Sequence, residues 1–209
     1  MIRTPTVLVL GAGASKPYGY PLGRELVNTI VKNVLNFDSD LSKELDHVPR
    51  VIWRRFGEAL KASASPSIDA FLESRPDFID IGRYAIAFEL LRCEKPEIFY
   101  EKDDWYHYLY DKMRDPNRFE SFGESKISII TFNYDRSLEF FLYTALKHSF
   151  QENFGELVQN FRKIPIIHVH GQLGQSPTFE GFFPYGTPIQ PSDRPILGKH
   201  IKITAKSLG

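Results

Sequence analysis

The chain has 209 residues, enough to bury the core of one α/β unit carrying an insertion and too few for a second enzyme domain. Its 26 Lys and Arg balance 26 Asp and Glu with no run of like charges, so nothing draws a polyanion and nucleic acid is not an expected partner. Cys93 is the only cysteine, which excludes an intrachain disulfide and a multi-cysteine zinc site and fits a reducing, cytoplasmic compartment.

Hydrophobic residues make up 42% of the chain, with 17 Phe and 10 Tyr, a composition that argues against disorder. The apolar run before Gly11 is too short for a signal-peptide core. No stretch approaches the roughly 18 apolar residues of a spanning helix, so no membrane association is expected.

In chain order, Thr6 to Leu10 (TVLVL) is a β-branched apolar run that predicts a parallel strand buried on both faces. A glycine segment, GAGASKPYGYP, follows it. Leu22, Leu26, Val27, Ile30, Val31, Val34 and Leu35 then recur at the spacing of an amphipathic helix. From about 37 to 120 strand signals vanish, and helical pieces alternate with Pro49, Pro66, Pro76, Pro96 and Pro116, which predicts a helical insertion. Within it Ser67 can cap a short helix, Ile79 to Leu91 and Asp104 to Met113 read as longer ones, and their aromatic residues read as core. Lys126 to Phe132 (KISIITF) predicts a second buried strand, Leu138 to Leu146 a helix, and Ile164 to Val169 (IPIIHV) a third strand. Ile201 to Ala205 is a candidate short strand in a tail that is otherwise hard to assign. The expected fold class is α/β: a Rossmann-like parallel sheet flanked by helices, with a helical insertion between the first strand-helix unit and the later strands.

Each predicted strand ends in a polar or glycine cluster, and open parallel sheets bind ligands beyond the carboxyl ends of their strands. In the first cluster, Gly11, Ala12, Gly13, Ala14 and Ser15 sit where a phosphate loop belongs. Gly11 permits a tight turn, Gly13 admits a pyrophosphate, and the amides and the Ser15 hydroxyl can donate to phosphate oxygens. Lys16 stands where a dinucleotide fingerprint has its last glycine, and a glycine-rich turn without a ligand reads the same way. In the second cluster, Asn133 can hold ribose hydroxyls or a water, and Asp135 can face a cationic sugar; both are also ordinary turn and cap residues. In the third, His170 suits proton transfer near neutral pH, with His168 on the same strand face if the strand extends that far. Taken alone, a histidine here is more often structural than catalytic, and only the coincidence of three clusters favours a site.

These residues resemble the sirtuin family in its broad sense. The family's cofactor loop, GAGxSxxxGxPxxR, is matched in register by Gly11, Ala12, Gly13, Ala14, Ser15, Gly19, Pro21 and Arg24. Its T-x-N-x-D motif is matched by Thr131, Asn133 and Asp135, and its His-Gly pair by His170 and Gly171. The resemblance implies NAD as substrate, Asn133 at the nicotinamide ribose and the attacking water, Asp135 at the carboxamide and His170 as catalytic base, with no metal. Unlike the protein deacylases, the chain has Leu22 and Gly23 where they have Asp-Phe, Phe132 where they have Gln, and no zinc module. GASKPYGYP, SIDAFL, TFNYDRSLE and HVHGQLG are similar to bacterial sirtuin-like domains, often the NAD-hydrolysing modules of antiphage defence proteins.

The expectation is therefore one NAD-binding catalytic domain over 1–209, an NAD glycohydrolase releasing nicotinamide and ADP-ribose. Alternatives are an NAD-dependent protein deacylase or ADP-ribosyl transferase, and a non-catalytic sensor of NAD or ADP-ribose. With only three convincing strands, the catalytic domain is expected to be incomplete at its C-terminal end or to complete its sheet in an unusual way, a C-terminal continuation or a partner subunit supplying the missing wall; a homo-oligomer or a C-terminal sensor domain are the candidate partners.

Overall fold

A computed structural model describes residues 1–100, 104–174 and 184–187; the expected strand at Ile201 to Ala205 lies outside them. The described chain is α/β, with one three-stranded parallel sheet in the order β1-β2-β3. β1 is Thr6–Leu10, β2 Ile127–Thr131 and β3 Ile166–His168. Register pairs Leu10 with Thr131 and Thr131 with His168, so the three strands end level along one edge. Whatever follows each strand therefore begins at that edge, which places Gly11, Phe132 and Val169 side by side.

Eight helices lie among the described residues: α1 Gly23–Leu35, α2 Asp40–Glu44, α3 Arg50–Ala62, α4 Ile68–Ser74, α5 Ile79–Leu91, α6 Trp105–Met113, α7 Ser137–Ser149 and α8 Phe154–Phe161. Five of them, α2 to α6, fall in the segment expected to be helical. Their ends carry the expected chemistry. Ser67 Oγ accepts from the Ala70 amide at 3.2 Å at the start of α4, and Asp104 accepts from the Tyr106 amide at 3.0 Å at the start of α6. In α1, Leu26, Val27, Ile30 and Val34 form the buried stripe. Most of α5 is buried, which gives the interior an all-round apolar helix.

The sheet departs from expectation in one respect. β1 and β3 are covered on one face only, where Leu8, Leu10 and Ile166 are half-buried, while on the other Val7 is 59% exposed, Val9 65% and Ile167 54%. Their register neighbours Ser128 and Ile130 share that face and are half-buried, whereas Ile127, Ile129 and Thr131 on the other face are buried. A run such as TVLVL fits a strand covered on both faces and one covered on a single face equally well, so the reading of two covered faces does not hold among the described residues. No helix among them is long and apolar enough to cross a membrane.

Candidate functional site

The segment after β1 folds into two short 3-10 turns, Ala12–Ala14 and Lys16–Tyr18, and the second ends on Gly19 at φ +87°, a left-handed backbone that favours glycine. The turns are tied down from inside. Ala14 N–H donates to Gly11 O at 2.9 Å, and Tyr18 N–H to Ser15 O at 3.0 Å. The insertion ties them down from outside: Trp105 Nε1 donates to Ala14 O at 3.1 Å, the Tyr18 hydroxyl donates to Asp104, and the Tyr18 and Tyr106 rings stack at 3.9 Å. The helical insertion thus shapes the loop as well as adding core.

Gly11 and Gly13 differ from Gly19. Gly11 has an extended backbone (φ −122°, ψ −176°) open to any residue, neither glycine has a positive φ, and a Cβ built on either would meet no atom within 4 Å. Among the described residues, the chain's own packing requires glycine at neither position. Both are exposed, so a ligand backbone or phosphate could approach them directly.

Asn133 joins the second strand end to this loop. Its Nδ2 donates to Gly11 O at 3.0 Å and to Ser15 Oγ at 3.0 Å, and its backbone N–H donates to Thr131 Oγ1 at 3.1 Å. Because a main-chain carbonyl can only accept, the atom facing Gly11 must be the amide nitrogen, which leaves Asn133 Oδ1 as the side chain's free acceptor among the described residues.

Ser15 is 2% exposed, and its hydroxyl is bound by Asn133 and by the Asp135 carboxyl, so it braces the site and does not present a donor to a phosphate as first expected. Asp135 does not project over the sheet edge either. It is buried, accepts from Ser137 N–H at 3.1 Å and also from the Ser137 hydroxyl. Burial raises the Asp135 carboxyl above its usual range, opposed by the hydrogen bonds from Ser137 and Ser15. Tyr106 extends the chain with a 2.7 Å hydroxyl contact to Ser137. The row Asn133, Ser15, Asp135, Ser137, Tyr106 is one internal network reaching from the loop to α6.

The two histidines divide their tasks. The strand ends at His168, whose Nδ1 lies 2.8 Å from Asn133 O and whose Nε2 is bound to Glu139 of α7. Both partners accept, so the imidazole donates from both nitrogens. Burial works against that charged form, but the Glu139 charge and the hydrogen bonds prevail and its pKa is raised. His168 therefore fixes the Asn133 backbone. His170 lies beyond the strand and is half-buried, its ring 5.9 Å from Phe132 and 6.1 Å from Tyr134. Gly171 closes that turn at φ +74°.

Of the residues expected from sequence, Gly11, Ser15, Thr131, Asn133 and Asp135 share one hydrogen-bonded cluster, with Ala12, Gly13 and Ala14 in its loop. His170 and Gly171 follow the neighbouring strand. Arg24 is exposed on the first turn of α1, outside the cluster, while Gly19 and Pro21 border a cleft of about 410 Å³ with Lys16, Tyr20, Arg92 and Cys93. Burial pushes the Cys93 thiol up to about 11, so it stays protonated and unreactive near neutral pH. Among the described residues no three His, Cys, Asp or Glu side chains cluster as a metal site. Sequence reasoning missed Asp69, Trp105, Tyr134 and Glu139, which reach the site from helices or by packing and leave no periodic signal. Comparison with protein-family models, with curated proteins and with solved structures gave no match.

Proposed function

We propose that this chain is a Rossmann-like NAD-binding domain that hydrolyses the N-glycosidic bond of NAD to nicotinamide and ADP-ribose, in antiphage defence as the resemblance to bacterial sirtuin-like domains implies. The observation that carries the reading is the seating of Asn133. A loop with two exposed glycines that packing among the described residues does not require, an asparagine amide locked onto that loop, and a histidine beyond the next strand meet at one sheet edge.

In this reading the pyrophosphate lies along Gly11 to Gly13, recognised by main-chain N–H groups. The bond from ribose C1′ to the nicotinamide nitrogen breaks, its electron pair leaves with nicotinamide, and the sugar carries positive charge as the transition state forms. Asn133 Oδ1, its amide pinned by Gly11 and Ser15, accepts from a water and turns that water's lone pair toward C1′. As the new C–O bond forms, the water's proton passes to His170. Asp135 acts from behind, holding Ser15 and through it Asn133, so it is a positioning residue. No metal takes part, because nicotinamide leaves as a neutral molecule.

The test is purified protein incubated with NAD, with and without an acyl-lysine peptide, followed by chromatography of the products. Nicotinamide and ADP-ribose from NAD alone are expected. Turnover only with peptide would replace the reading with a deacylase, and binding without turnover would replace it with a sensor.

A further inference from the structure

A histidine that takes a proton from a water must keep its ring in one orientation, and proteins commonly do this with a hydrogen bond to the second ring nitrogen. His170 is held differently. Its Nδ1 is shielded from solvent and has no hydrogen-bond partner among the described residues, so packing must set the ring's direction. Two aromatic rings face it, and of these Phe132 is half exposed whereas Tyr134 is buried.

Tyr134 is fixed at three points. Its main-chain oxygen accepts from Leu173 N–H at 2.7 Å, which closes the turn carrying His170; its ring lies 6.1 Å from the imidazole; and its hydroxyl donates to Asp69 Oδ1. Asp69 belongs to the first turn of α4, a helix anchored in the core by Ile68, Phe71 and Leu72 and capped by Ser67. The mount thus runs from the helical insertion to the end of β3.

The geometry points to Asp69 as a positioning residue for His170, acting through the Tyr134 hydroxyl. This rests on the reading of His170 as proton acceptor. It assigns the helical insertion a second part in the site, alongside its hold on the glycine loop. Burial raises the Asp69 carboxyl, and the neighbouring His170 opposes the rise.

Three substitutions separate the roles. Asp69→Ala removes the acceptor, Tyr134→Phe keeps the ring and removes the donor, and Asp69→Asn keeps an acceptor oxygen while removing the charge. Asp69→Ala and Tyr134→Phe are expected to lower kcat for NAD cleavage by about tenfold to a hundredfold with KM nearly unchanged, and Asp69→Asn to restore most of the rate. The double variant should be no worse than either single one, because both cut the same link. Loss in Asp69→Asn equal to that in Asp69→Ala would overturn the proposal in favour of a charge effect, and a changed KM with normal kcat, or additive losses, would overturn it as well. If Asp69→Ala does not fold, the other two variants carry the comparison.

An arm without substrate keeps this inference separate from the proposed activity. The His170 ring resonances, followed by NMR, should move in Asp69→Ala and Tyr134→Phe and stay close to wild type in Asp69→Asn. Unmoved resonances in all three would refute the mount even in an active enzyme, and the shifts would support it even if wild type left NAD intact.

Discussion

The Asn133 side chain has two N–H groups and one oxygen, and Gly11 and Ser15 take both N–H groups. That single placement was legible in the sequence, since a polar residue two positions beyond a strand must lie near the sheet edge. What it would bond to was not. The inward turn of Asp135 and the capture of Ser15 depend on Ser137 and Tyr106, which meet only after folding. His168 gives a prediction at this scale. Its folded-state pKa lies above the ordinary value of 6.5, so its contribution to stability is complete below pH 6.5 and is lost as pH rises through the folded value. Melting temperature should fall across that window in wild type, and Glu139→Gln, which removes the facing charge, should flatten the fall; Asp135 also faces His168 and remains. A wild-type melting temperature that rises with pH there would refute the assignment.

Elements were more legible than their faces. β1 to β3, α1, α4, α5, α6 and α7 follow from periodicity, caps and proline spacing, because these act locally. α8 escaped: it has eight residues, starts Phe-Gly, and declares itself only through the Asn153 cap and the buried Leu157, Val158 and Phe161. Also invisible was the bond between elements made by Arg136 and Glu94, both side chains 1% exposed, at 2.8 and 3.0 Å. Glu94 also accepts from Gly186 N–H at 2.9 Å, and Arg136 donates to Pro184 O at 3.4 Å, so the pair fastens the 184–187 segment beside α7. Arg136→Met would leave the Glu94 carboxylate buried without its cation, and a loss of about 3–5 kcal/mol in unfolding free energy is expected by denaturant titration. A loss near zero would mean that the pair is not closed off from water.

For the whole molecule, the described chain is a sheet with one covered and one bare apolar face, Val7, Val9 and Ile167 standing out on the latter. Such a patch binds apolar dyes. The folded protein should enhance the fluorescence of an anilinonaphthalene dye, and Val9→Ser with Ile167→Ser should reduce that signal while stability moves by no more than about 0.5 kcal/mol per site. An unchanged dye signal would show that the face is covered in solution. The proposed NAD cleavage belongs to a different feature, the level strand ends where Gly11, Asn133 and His170 stand. It is tested most directly by the rate at which nicotinamide is released from NAD by wild type, Asn133→Ala and His170→Ala, each first shown by circular dichroism to melt like wild type. Wild type should turn over, and each variant should be slower by about a hundredfold or more. Nicotinamide release by both variants at the wild-type rate, or none from wild type, would contradict the account.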